Sequence, residues 1–331
     1  MRTISLQEPG RFVESEAPIP VAVPGEALVR IRRVGICGSD FHAFHGRHPA
    51  YSYPRIIGHE LGCEVVTVPE NAGGLRPGLR SGDRCALEPY ISCGTCRACR
   101  KNRPNCCETL RLFGIHVDGG MQPYLSCPVE LLHRSASLSL DQLALVETLG
   151  IGANAVERSG LAQGETAIVV GAGPIGLAVV QFALAAGAKV RVIERSELRR
   201  EFVGRFGVTA QAEPDEELAD VVFDATGVAA VMARSLEHVA PAGRLVFVGL
   251  CKDAIALDDP LFHRREVTLY ASRNSCHQFP RLIGMIESGQ IDTGPWINAR
   301  MRLRDVPGEF GGLLGQADLI KAMVELDDSD E

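Results

Sequence analysis

The hydrophobic rhythm of the chain changes near Asp141. Before it, from Met1 to about Ser139, short apolar runs such as 27–34 and 64–68 are broken by proline and glycine, which predicts an irregular β domain. After it, strand-length apolar runs alternate with helix-length segments. Strands are predicted at Thr166–Val170, 190–194, 220–224 and 244–249, with helices between them at 174–186, 197–206 and 229–239. That alternation is the pattern of a parallel, doubly wound α/β sheet. Beyond about Ala271 it weakens, so the last sixty or so residues are expected to return and pack on the first domain. The expected division is 1–140 completed by 272–331, with 141–271 inserted. The acidic end, Asp327 to Glu331, reads as a frayed tail. No repeat or low-complexity tract interrupts the pattern.

Composition narrows the function classes. At 331 residues the chain suits two domains of roughly 150–180 residues, and two domains create a cleft. No apolar stretch approaches the ~20 residues of a membrane span, and the start, MRTISLQEPGRF, has no secretory pattern, so a cytoplasmic address is expected. A net charge of −7 with interspersed signs offers no basic stripe for nucleic acid. Eleven cysteines, an odd number, in a long chain without an export signal point to metal ligation before disulfides.

Three segments carry chemistry. In ISCGTCRACRKNRPNCC, Cys93, Cys96 and Cys99 stand at successive C-x2-C steps, and Cys106 or Cys107 supplies a fourth thiolate. Four thiolates close a tetrahedral zinc site with no open position, which makes it structural. In GICGSDFH and IIGHELG, Cys37, Ser39, Asp40, His42, His59 and Glu60 gather a thiolate, imidazoles and carboxylates, and Glu147 follows in ALVETLG. A catalytic zinc needs about three protein ligands and one exchangeable position, and Cys37, His59 and either Glu60 or Glu147 would supply them. Finally, Gly171, Gly173 and Gly176 form GAGPIG between a strand and a helix, the arrangement that cradles a dinucleotide pyrophosphate. Glu194 ends the next strand, where an acid binds adenosine ribose hydroxyls and favours NAD; Arg195, Arg199 and Arg200 beside it leave NADP as the alternative.

Together these segments resemble the zinc-containing medium-chain alcohol dehydrogenase superfamily, in its sorbitol-like polyol and sugar-acid branch. The resemblance covers essentially the whole chain, down to the terminal IKAMVEL. It implies a GroES-like catalytic domain with an inserted Rossmann domain, two zinc ions per chain and NAD, and a homodimer or homotetramer with strands pairing between Rossmann domains. By position it implies Cys37 and His59 as catalytic zinc ligands, with Glu147 where sorbitol-like members carry glutamate, and Glu60 as a carboxylate beside the metal that exchanges with water. Ser39 and His42 match a proton relay, Asp40 a carboxylate orienting a histidine, and Cys107 the fourth structural ligand. Cofactor contacts are expected from Gly171, Gly173, Pro174, Ile175, Gly176, Glu194, Arg195, Arg199, Thr226 and Arg273. Phe113, Tyr51 and Arg273 are candidates for the substrate pocket. Two departures stand out: Cys63 replaces the last glycine of the G-H-E-x-x-G pattern, and Asn154 stands where relatives often have histidine.

The expected activity is hydride transfer from a secondary hydroxyl of a small polyol, sugar or sugar acid to NAD(P)+, with threonine or a simple secondary alcohol as other substrates. A non-catalytic NAD(H)-binding protein with only structural zinc, or a zinc-free enone reductase, would not need Cys37, Ser39, His42 and His59 together.

Overall fold

Residues 1–69 and 76–330 are described in a computed structural model of the chain. By internal contacts the chain divides into two units, Met1–Glu147 with Phe279–Glu331, and Thr148–Gln278. Both boundaries fall later than the 140/141 and 271/272 expected from the change of rhythm. The reason is a single continuous helix, Leu140–Ser159, whose first half belongs to the first unit. Its residues Leu143 to Val146 are all buried, so no run of turn residues marks the division in the sequence.

In the first unit a seven-stranded sheet runs in the order Ile297–Arg302, Lys321–Glu325, Glu26–Gly35, Glu60–Thr67, Arg84–Leu87, Leu132–Ser135, with Tyr124–Pro128 also paired to Glu26–Gly35. Val29, Ile31, Leu61, Val65 and Leu87 alternate inward along the central strands and are buried together, as period-two patterning requires. The strand Lys321–Glu325 brings the C-terminal segment against the strand Glu26–Gly35. Cys63 lies within the strand Glu60–Thr67, buried, with its thiol donating to the carbonyl of Cys85; the register of this strand against Glu26–Gly35 shifts between Ile31 and Arg33, opposite Cys63 and Gly62. The acidic end is not frayed over 327–330. Asp328–Asp330 is a 3-10 turn, Asp330 is buried, Asp328 pairs with Arg32 at 2.7 Å, and Asp327 pairs with Arg302. Glu331 lies outside the described residues.

In the second unit six strands form a wholly parallel sheet in the order Thr209–Gln211, Lys189–Ile193, Thr166–Val170, Ala219–Asp224, Val239–Phe247, Thr268–Ala271. Numbered along the unit this is 3-2-1-4-5-6, the order that reverses beside the first strand and opens a crevice at the carboxyl ends. Ile168, Val222 and Leu245 bury the sheet's interior. The helix expected over 229–239 is shorter, Ala229–Arg234 followed by a 3-10 turn Ser235–His238, and the next strand starts at Val239.

Candidate active site

Among the described residues, two groups of side chains gather donor atoms within 4.8 Å of one another: Cys93, Cys96, Cys99 and Cys107, and Cys37, His59 and Glu60. The first is made by one loop. The chain turns so that the Cys96 amide donates to the Cys93 sulfur and the Cys93 amide to the Cys107 sulfur, each at 3.3 Å, and the Cys96 and Cys99 sulfurs approach to 3.5 Å. Backbone donors from Thr95 and Cys96 pull the Cys93 thiol down to about 5. Cys106 is exposed and stands outside the group. Four soft donors in a closed set suit zinc and leave no room for substrate.

The second group is assembled from separate segments. The helix Gly38–Phe44 starts at Cys37, and Asp40 in its first turn accepts the Cys37 amide at 2.9 Å. An acid in a first turn favourably meets the helix dipole. The fully buried Asp40 carboxylate also lies 3.7 Å from His59 Nδ1 and accepts the Tyr51 hydroxyl at 3.3 Å. Ser39 Oγ stands 3.4 Å from His59 Nε2. Glu60 follows His59 at the head of the strand Glu60–Thr67, with both oxygens on Lys321 Nζ at 2.7 and 2.8 Å. Glu147 is buried in the helix Leu140–Ser159 and accepts the Tyr90 hydroxyl; it lies outside the group of three.

The electrostatics of this pocket suit a further cation. Asp40, Glu60 and Glu147 are three buried carboxylates, Cys37 adds a thiol, and Lys321 is the fixed cation among them. Burial raises Asp40 and Glu147 above the usual carboxylate range. Burial also opposes charge on His59, yet Asp40 and Cys37 outweigh it and raise the imidazole well above its ordinary value. His59 Nδ1 is buried without a hydrogen-bond partner. A buried anionic excess is costly unless a cation compensates it. Sulfur, imidazole and carboxylate donors are the mixed set that zinc takes, so the residues fit the ion.

The remaining expected residues are placed as follows. His42 is exposed, one helical turn after Ser39. Phe113 is part of the first unit's apolar core. In the second unit Asn154 donates to Ser272 Oγ at 3.1 Å and to the Arg273 carbonyl at 3.3 Å. Gly171 has φ +92°, and a Cβ at Gly176 would lie 1.8 Å from the Gly171 carbonyl oxygen, so both glycines are required by the turn. Gly173 caps the helix Pro174–Ala185, whose first residues are Pro174 and Ile175. A cavity of about 510 Å³ opens there, lined among others by Gly171, Gly173, Glu194, Arg195, Arg199 and Thr226. The two carboxylate oxygens of Glu194 accept the Ala172 and Ser196 amides at 2.7 and 2.8 Å, so the carboxylate is fixed at the cavity wall. Arg199 Nε is buried without a partner, while Arg200 turns away to the carbonyls of Glu194 and Arg195. Thr226 donates its hydroxyl to Asp224 at 2.6 Å.

Two residues around the second group, Lys321 and Tyr90, were not singled out from the sequence. Lys321 had a readable signal: one charge inside the apolar run IKAMV of a central strand. Tyr90 had none, since EPY precedes the cysteine loop in ordinary turn context.

The alcohol dehydrogenase GroES-like domain matches residues 23–137, and the zinc-binding dehydrogenase family matches residues 174–288. The chain is 35% identical to an L-galactonate-5-dehydrogenase of Escherichia coli strain K12, over 98% of each chain. Among solved structures, an alcohol dehydrogenase from Escherichia coli CFT073 complexed with NADH superposes with a TM-score of 0.91 at 27% identity, covering 98% of this chain and 99% of that one. A zinc-binding dehydrogenase from Sinorhizobium meliloti 1021 bound to NADP gives 0.88 at 27% identity, covering 98% of both.

Proposed function

The chain belongs to the zinc-binding medium-chain alcohol dehydrogenase family, in its polyol and sugar-acid branch, and on that premise we propose that it oxidises a secondary hydroxyl of a polyol, sugar or sugar acid, with NAD(P)+ as hydride acceptor. The observation that carries this reading is the convergence of Cys37, His59 and Glu60 in a buried anionic pocket with the Ser39 hydroxyl beside the imidazole. Zinc held by Cys37, His59 and a carboxylate, Glu60 or Glu147, supplies Lewis-acid polarisation of the substrate hydroxyl. The nicotinamide supplies the hydride acceptor.

The rest is work for this chain's side chains. The Asp40 carboxylate, 3.7 Å from His59 Nδ1, orients the imidazole by charge and not by a hydrogen bond, which leaves Nε2 as the lone-pair donor. Ser39 accepts the proton of the substrate hydroxyl and hands its own onward. His42, three residues later on the same helical face and exposed, releases it to water. Cys93, Cys96, Cys99 and Cys107 hold a second, structural zinc. Gly171, Gly173, Pro174, Ile175 and Gly176 cradle the pyrophosphate, with Thr226 and Arg273 as further cofactor contacts. Glu194, held by two backbone amides, presents its remaining lone pairs to the ribose hydroxyls and favours NAD; Arg195 and Arg199 at the cavity are what would receive the 2′-phosphate of NADP.

No helix among the described residues is long and apolar enough to cross a membrane. Thiolate ligation of metal suits a reducing compartment, which supports a cytoplasmic location. Among the described residues Thr268–Ala271 is the last strand of the parallel sheet and pairs on one side only, which supports a homodimer or homotetramer built by strand pairing.

The test is a screen of aldonates, hexitols and pentitols with NAD+ and NADP+, following reduced cofactor by absorbance. Cofactor reduction with at least one aldonate or polyol, faster than with threonine or 2-propanol, is expected. No turnover of any polyhydroxylated substrate by zinc-loaded protein, with turnover of threonine or the simple alcohol, overturns the substrate class.

A further inference from the structure

Lys321 is one of the most deeply enclosed charges in the first unit. Its strand, Lys321–Glu325, is locked in the central sheet between Ile297–Arg302 and Glu26–Gly35. Its ammonium group donates to both oxygens of Glu60, at 2.7 and 2.8 Å, and to the carbonyl of Ile36 at 3.2 Å. The strand opposite makes room for this pair. A Cβ at Gly35 would lie 2.1 Å from Glu60 Oε2, so only glycine there lets the carboxylate fold back toward the ammonium. Yet one oxygen of the same carboxylate lies within 4.8 Å of donor atoms of both Cys37 and His59. Glu60 therefore stands between two cations, a fixed ammonium and the ion that Cys37 and His59 would hold.

We propose that Lys321 is a positioning residue that competes with the catalytic metal for Glu60, and so makes Glu60 the exchangeable member of the ligand set. This rests on the reading of Cys37, His59 and Glu60 as a zinc site. Buried charges attract strongly because little solvent screens them, and an ammonium fixed in a sheet cannot swing away when the ion arrives. Charge drawn toward Nζ is withheld from the metal, and the carboxylate is left with a partner to return to whenever a substrate oxygen takes its place. Without the ammonium, the pull that holds Glu60 away from the metal is gone, and the carboxylate would close the open position.

The test uses the full-length protein, with zinc affinity measured by competition with a chromophoric chelator and the catalytic site loaded with cobalt(II) for visible spectroscopy. Lys321→Met is expected to bind catalytic-site zinc about tenfold more tightly, to change the intensity of the cobalt ligand-field bands, and to lower kcat. Lys321→Arg is expected to restore the wild-type spectrum. When combined with Glu60→Gln, Lys321→Met should no longer produce the gain, because the carboxylate through which it acts is gone. If Lys321→Met does not fold, Lys321→Gln, which keeps amide donors without the charge, carries the same comparison. Unchanged or weaker zinc binding with an unchanged cobalt spectrum overturns the proposal. So does an equal gain with and without the Glu60→Gln substitution, which would reflect simple charge repulsion. Failure of the zinc-site reading itself would show first in the wild type, as an absence of any second bound metal ion.

Discussion

The cysteine loop and the Cys37–His59–Glu60 pocket are the two groups of donor atoms in the first unit, among the described residues, that could hold a metal ion, and they are built in opposite ways. The loop draws four like donors from 93–107, supports them with its own backbone amides, and leaves Cys93 at the surface. The pocket draws unlike donors from a helix start and a strand start, and surrounds them with Asp40 from the same helix and with Glu147 and Lys321 from more distant segments. A closed set of thiolates satisfies an ion fully and becomes part of the fold. On the proposed reading, a mixed set embedded among competing charges would leave the ion an open position and a carboxylate that can come and go. The difference between structural and catalytic metal thus lies in the surroundings of the donors as much as in the donors themselves.

The largest effect on stability expected from this comparison comes from breaking the loop. Cys96→Ser should remove one zinc per chain and lower stability by about 3 kcal/mol, which in a domain of this size is a fall of roughly 6–12 °C in Tm. Thermal unfolding followed by circular dichroism checks it. A Tm within a degree of wild type would mean that the loop needs no metal.

The smallest effect lies outside both clusters and calibrates them. Asp141 bridges Arg33 and Arg300, each at 2.7 Å. Burial opposes its charge, but hydrogen bonds and attraction from Arg300 and Arg33 outweigh burial and hold it below the usual carboxylate range. A lowered folded pKa contributes stability that is fully present above the unfolded value near ~4 and is lost as pH falls through the folded value. The pairs are partly solvent-screened, so Asp141→Asn should cost about 1 kcal/mol or less at pH 7. Urea titrations from pH 7 to pH 2.5 should show the difference from wild type closing only below about pH 4. A difference that instead widens in acid would reverse the assigned sign.

How much of this was legible in the sequence follows from the same contrast. The loop was readable because its ligands are near neighbours and spacing alone brings them together. The glycine turn was readable because strand, turn and helix are consecutive, and the strand Thr166–Val170 lies where the apolar run predicts it. Cys37, His59 and Glu60 were visible as residue types, but their meeting depends on sheet register, and the choice between Glu60 and Glu147 was left open. Only the fold sets Glu60 beside Lys321, from opposite ends of the chain, and Glu147 beside Tyr90. The helix Leu140–Ser159 was not foreseen because it is apolar along most of its length and lacks a clear polar face. The acidic end misled because charge suggested solvent, whereas arginines of three separate segments, Arg2, Arg32 and Arg302, hold it down.

Two metal ions with different duties are the central claim, and counting them tests it most directly. Inductively coupled plasma mass spectrometry on the purified wild type and on Cys37→Ser, with thermal unfolding and cofactor-linked turnover measured on the same samples, should give two zinc ions per chain falling to one. The Cys37→Ser protein should keep its Tm within a few degrees and lose activity roughly a thousandfold or more, about 4 kcal/mol of barrier. A wild type holding a single zinc that Cys37→Ser retains, or a Cys37→Ser enzyme that turns over at the wild-type rate, would contradict it.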